Sequence, residues 1–175
     1  MSLIDSTYFR NSITIPVGTY SDLTQFIEQY EKQVLIGLLG YDLYTEMMAA
    51  YAAFLAVPST PLPTKWDNLI NGVSYTYGAQ TIRWNGLINS DKISFIAYFV
   101  YCQYLKSKQF PYQQTGTVQP KNENSQVVSG VENHTAAWNK FVELYYECIN
   151  AIEVGITEIP IIYPVDYSPT NNFGI

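Results

Sequence analysis

"ISFIAYFVYCQYL", residues Ile93–Leu105, is the stretch on which the fold turns. Apolar side chains occupy nearly every position of it, so as a helix it is apolar almost all round and belongs at the centre of a bundle. It is shorter than the roughly 18 to 20 residues a bilayer span requires, and Asp91, Lys92, Lys106 and Lys108 flank it. These features predict a buried core helix, capped by Ser90, and no membrane segment. A chain of 175 residues is long enough to bury such a helix within one domain.

Immediately upstream, "VSYTYGAQTIRWNGL" carries the one convincing strand signal. With Gly78-Ala79 as a type II′ turn, Tyr77 pairs with Gln80, Thr76 with Thr81, Tyr75 with Ile82, Ser74 with Arg83 and Val73 with Trp84. That register puts Val73, Tyr75, Ile82 and Trp84 on one face and Ser74, Thr76, Thr81 and Arg83 on the other. An isolated hairpin is marginal in water, so this one is expected to lie on a helix or on another subunit.

Farther toward the N-terminus, Leu23, Phe26, Ile27, Tyr30, Val34, Leu35 and Leu38 follow helical spacing between an N-cap at Ser21 and a stop at Gly40. A second helix is predicted from about Asp42 to Leu55, with Leu43, Tyr44, Met47, Met48, Tyr51 and Leu55 on its apolar stripe. The prolines of "VPSTPLPT" end it. Thr64 and Asp67 then resemble a capping box for a short helix carrying Trp66, Leu69 and Ile70 and closed by Gly72. Downstream of Phe110 lies a polar, turn-rich loop over 111–128, a length that usually marks function or mobility. Ser129 and Glu132 form a capping box for the last helix, whose apolar stripe includes Ala137, Trp138, Phe141, Tyr145, Cys148 and Ile152 and which ends at Gly155.

The two ends lack such periods. Residues 1–20 contain Pro16 and Gly18 and read as an extended arm. The closing "EIPIIYPVDYSPTNNFGI" holds Pro160, Pro164 and Pro169, which exclude a helix, yet it has apolar area to bury. It therefore reads as an extended C-terminal docking arm over 156–175, buried against a neighbour. The whole pattern predicts a mainly α fold: a small helical bundle of four to five helices over 21–155, with one β-hairpin near 73–84 and extended N- and C-terminal arms.

Nine Lys and Arg against fifteen Asp and Glu give a formal charge of -6, which argues against a general nucleic-acid binder or a membrane-surface protein. Sixteen tyrosines stand against three tryptophans and eight phenylalanines; such residues suit subunit interfaces, or equally a tyrosine-rich core and surface. Cys102 and Cys148 are read as reduced core thiols of an intracellular protein, and "MSLIDSTYFR" has no signal-peptide character.

Reactive constellations are missing from the sequence. The single histidine, His134, has no second His, HExxH or GxSxG beside it and reads as a solvated surface residue. Glu143 and Glu147 share a helix face at i, i+4 but lack the Glu-x-x-His pairs of a di-metal site; they, with Glu28 and Glu31, are read as solvated. A small hydrolase built on Glu143 and Glu147 is the enzyme alternative. The glycines form neither GxGxxG nor GxxxxGK[ST]. No catalytic residue, cofactor or metal is expected.

Several stretches together resemble a protein family of tailed bacteriophages and prophages, particularly those of Bacteroidetes-type hosts. They are "LLGYDLYTEM", the Tyr-rich hairpin running into "WNGL", "ISFIAYFVYCQYL", "TGTV", "ENSQVVS", "AAWNKFVELY" and the terminal "NNFGI". The family is that of head-to-tail connector, or adaptor, proteins. The resemblance implies a non-catalytic virion protein of the neck, assembled in the host bacterial cytoplasm. Its subunits would form a homo-oligomeric ring, dodecameric like the portal, joining portal to tail or neck proteins while genomic DNA passes through the lumen without specific binding. Arg83, Lys65 and Lys140 make no obvious basic ring, so the sequence offers no support for direct DNA contact. Expected contact residues are Tyr75, Tyr77, Arg83 and Trp84 on the hairpin and Gln114, Thr117 and Val118 in the loop. The C-terminal arm adds Tyr163, Tyr167, Asn172, Phe173 and Ile175. A tail-completion or stopper protein of the same neck region, and a small non-viral binding module whose tail packs on its own subunit, are the alternatives.

Overall fold

The computed structural model describes residues 1–15, 20–57, 60–109, 112–113, 116–117, 130–160 and 162–171. The fold is mainly helical with one five-pair hairpin: α1 (Tyr20–Leu39), α2 (Tyr41–Ala56), α3 (Thr64–Asn71), β1 (Val73–Tyr77), β2 (Gln80–Trp84), α4 (Phe95–Gln109) and α5 (Gly130–Asn150). As its all-round apolarity requires, α4 is the central helix, packed between α1 and α5 with Phe95, Ile96, Ala97, Phe99, Val100, Tyr101, Cys102 and Tyr104 buried. Within the predicted loop, Tyr112–Gln113 and Gly116–Thr117 pair as a second, two-residue ribbon. So short a ribbon falls below any strand period readable from sequence. The cap at Ser129 lies outside the described residues, and Ser21 lies inside α1.

The hairpin has the expected register in all five pairs, from Val73 opposite Trp84 to Tyr77 opposite Gln80. Gly78 has φ 62°, and Ala79 is not among the non-glycine residues with positive φ. That is the pattern of a type II′ turn, since type I′ needs positive φ at both central positions.

Besides Ser21, helix boundaries depart from the sequence reading in three places. Pro63, not Thr64, precedes α3: its carbonyl accepts from Trp66 and Asp67 N–H at 2.9 Å each, and Asp67 accepts from the Asn71 amide at 2.6 Å. Ser90 lies in a turn, because Asn89 bonds both backbone groups of Ile93 at 3.1 and 2.6 Å and delays the helix until the Ser94 carbonyl receives Ala97 and Tyr98 N–H. At the other end of the chain, α5 stops at Asn150 and continues to Gly155 as a single π-helical turn. On α2, Leu55 of the expected stripe is 53% exposed, since the helix end projects past the core.

The described parts of both ends pack back on the rest of the chain. Within the N-terminal arm, two 3₁₀ turns, Ser6–Tyr8 and Asn11–Ile13, accompany the burial of Leu3, Ile4, Tyr8, Phe9, Ile13 and Ile15. Glu31, expected in solvent, is 2% exposed and accepts from Leu3 and Ile4 N–H at 2.7 and 3.1 Å. The described part of the C-terminal arm is extended, but it too closes on its own subunit. Ile156, Ile159 and Ile162 are buried, Val165 N–H donates to the Gly37 carbonyl at 2.8 Å, and the Trp138 indole N–H donates to the Ser168 carbonyl at 2.9 Å. Asn139 and Thr170 exchange two bonds of 2.8 Å. Proline removes strand pairing from this segment, so side chains of α5 supply the partners that a strand ladder would have supplied.

Candidate interaction groove

The hairpin is held down at its base. The Trp84 indole N–H donates to the Leu69 carbonyl at 2.9 Å, and Leu87 and Ile88 N–H bond the Leu69 and Ile70 carbonyls at 3.2 and 2.9 Å. Gly72 and Gly86 pass so closely that a Cβ on Gly86 would stand 2.5 Å from the Ile70 carbonyl oxygen. Only glycine admits that approach. The inner face of the ribbon then rests on the π-helical turn, where a Cβ on Gly155 would stand 2.7 Å from the Tyr75 ring.

Between the ribbon and the end of α5 this leaves an open groove of 610 Å³. Its ribbon wall is Tyr75, Tyr77, Ile82, Arg83, Trp84 and Asn85; its helical wall is Glu147, Asn150, Glu153 and Val154. Glu147, Asn150 and Val154 share the helix face at i, i+3, i+7, opposite the buried Tyr145, Cys148 and Ile152. Neither Glu147 nor Glu153 has a hydrogen-bond or ion-pair partner among the described residues. Burial under the ribbon raises the Glu147 carboxyl above its ordinary value, Lys140 works against that and Glu143 adds to it. Burial first, then the Glu147 charge, raises the Tyr75 phenol. Arg83 donates to the Ser74 hydroxyl at 3.3 Å on the outer face of the ribbon. No basic residue stands in the last turn of α5 or of the π-helical turn.

Of the contact residues expected from sequence, the groove brings together Tyr75, Tyr77, Arg83 and Trp84, with Trp84 as its anchored floor. Thr117 pairs with Tyr112 in the small ribbon; Gln114, Val118, Asn172, Phe173 and Ile175 lie outside the described residues. Tyr163 is 93% exposed. Tyr167 is half-buried in an aromatic cluster: its ring stands 5.0 Å from Phe141 and Tyr145, 5.8 Å from Trp138 and 6.1 Å from Phe99, centroid to centroid. The groove also draws in Asn150, Glu153 and Val154, which sequence reasoning passed over although helical spacing aligned Asn150 and Val154 with Glu147.

His134 is half-buried; its Nε2 is enclosed without a hydrogen-bond partner among the described residues, and burial, then Lys106, lowers its pKa. Cys102 and Cys148 are free and buried, and burial pushes the Cys102 thiol up to about 12. Among the described residues no group of three or more His, Cys, Asp or Glu is placed to hold a metal ion, and no helix is long and apolar enough to cross a membrane. No protein-family model, curated protein or solved structure matches this chain.

Proposed function

We propose that this chain is a structural virion protein, a head-to-tail connector subunit that forms a ring between portal and tail and lines part of the DNA conduit. The reading starts from the family resemblance of its helical and hairpin segments. The observation that carries it is the groove beneath an anchored hairpin whose tip residue Tyr77 is 64% exposed. A closed ring needs a heterologous interface, one face of each copy meeting a different face of the next. An open, aromatic, partly apolar surface on a rigid ribbon suits that use, because aromatic anchors dominate interface energetics. The chain acts in the neck of the virion, without catalysis.

A second reading, a small monomeric binding module, is favoured by one observation: the described C-terminal segment closes on its own subunit. Native mass spectrometry and light scattering of the purified chain, alone and with portal protein, separate the two. The connector reading expects a closed ring, dodecameric on portal. A chain that stays monomeric at high concentration and with portal present is the binding module.

A further inference from the structure

Asn-Gly occurs twice in the sequence, at Asn71-Gly72 and Asn85-Gly86, and the fold crosses the two dipeptides over each other. A Cβ on Gly72 would stand 2.4 Å from the Trp84 carbonyl oxygen, as one on Gly86 would stand 2.5 Å from that of Ile70. Asparagine is thermolabile. Before glycine it is most so, because no Cβ hinders the following backbone nitrogen from reaching the side-chain carbonyl carbon and closing a five-membered imide. Hydrogen bonding and exposure decide which of the two pairs can react.

At Asn71-Gly72 both reacting groups are engaged. The Gly72 N–H donates to the Asn68 carbonyl at 3.1 Å as the cap of α3, and the Asn71 amide donates to the Asp67 carboxylate at 2.6 Å. At Asn85-Gly86 neither the side-chain amide nor the glycine N–H has a hydrogen-bond partner among the described residues. Asn85 is exposed and follows the end of β2, outside any helix. Solvent meets it on two sides, in the groove of 610 Å³ and in an adjoining hollow of 70 Å³ that Gly86 also lines.

We infer that Asn85 is a site of spontaneous covalent modification, converting to aspartate and isoaspartate in the folded chain while Asn71 is protected. The Gly86 nitrogen gives its proton to hydroxide and bonds Cγ of Asn85; the Cγ–Nδ2 bond breaks, and the amide nitrogen leaves as ammonia with a proton taken from water. One further water opens the imide at either of its two C–N bonds, leaving aspartate or isoaspartate at position 85. Either product puts a carboxylate in the ribbon wall of the groove that Glu147 and Glu153 also line. Isoaspartate also adds one carbon to the main chain between Trp84 and Gly86, where the two backbones already touch, and so loosens the Trp84 indole from the Leu69 carbonyl. The inference is independent of the connector reading.

The test is peptide mapping by mass spectrometry of the full chain, aged folded and in urea in the same mildly alkaline buffer, with isoaspartate separated from aspartate by chromatography. In urea the two Asn-Gly sites should convert at similar rates. In the folded chain position 85 should convert about tenfold faster than position 71, because two hydrogen bonds must break before Asn71 can react. Equal rates at the two sites in the folded chain, a faster rate at Asn71, or no conversion at either while the chain in urea converts would overturn the inference. Asn85→Gln, at an exposed position, should abolish the main acidic species that the folded chain acquires with age on ion exchange; its appearance at an unchanged rate would equally sink the assignment. The isoaspartate fraction should melt below the unmodified chain, and coincident melts would remove the effect on the hairpin base.

Discussion

At Glu31 two effects oppose each other. Two backbone N–H donors favour its charged form, and burial penalises it; burial wins, raising the carboxyl from 4.5 to about 7. The groups that face it are the amino terminus, Glu28, and the phenols of Tyr8, Tyr44 and Tyr51. Between pH 4.5 and 7 the folded chain binds more protons here than the unfolded chain, so stability is full below that window and falls as pH rises through about 7. The loss is on the order of 3 kcal/mol. Glu31→Gln keeps one acceptor and loses the other, costing about 1 kcal/mol near pH 5. Urea unfolding across this range should show the variant's curve flattening and its deficit closing or reversing by pH 8. Parallel curves for the two proteins would rule out Glu31 as the titrating group.

The charge state of Glu31 illustrates why part of the residue-level picture was invisible in sequence. On α1 it falls among Glu28, Gln29 and Lys32, an ordinary wet face by helical spacing. What buries it is the N-terminal segment, whose amides need an acceptor once they leave water. His134 was misread for the same reason: enclosure by α4 is a tertiary fact, with Cys102 of α4 against its backbone carbonyl at 4.0 Å.

At the scale of elements, the hairpin and the C-terminal strap form a contrast. The register of β1 and β2 was legible because Gly78-Ala79 fixes the turn and a slip of one residue would turn Val73, Tyr75, Ile82 and Trp84 outward. The strap has no period to read, only prolines and scattered apolar residues. Its course is set by groups on α1 and α5: Gly37, Trp138, Asn139 and the aromatic cluster around Tyr167. Tyr167→Ala should cost about 2 kcal/mol by emptying that cluster. It should also raise hydrogen exchange at the Val165 and Thr170 amides above that of α4. Unchanged exchange at those two amides would mean that the strap is held elsewhere.

For the whole molecule, the surfaces left for partners among the described residues include Tyr41, Leu55, Val57, Tyr77, Ile93 and Tyr163, with the groove beside Tyr77. Tyr77→Asp should leave stability within about 0.5 kcal/mol, as expected for an exposed site, and, on the connector proposal, should abolish ring formation in native mass spectrometry. A ring that survives in this variant removes the hairpin from the subunit interface.

The sequence by itself determined the helical bundle, the central place of α4 and the register of the hairpin, since each rests on a short-range period or turn that neighbouring residues impose. Only the tertiary structure decided the course of the two ends and the solvent access of Glu31 and His134. Those depend on pairings such as Leu3 with Glu31 and Thr170 with Asn139. An aperiodic segment has no amphipathic face of its own to orient it, so its path is set by whichever distant donors, acceptors and apolar surfaces the finished core presents.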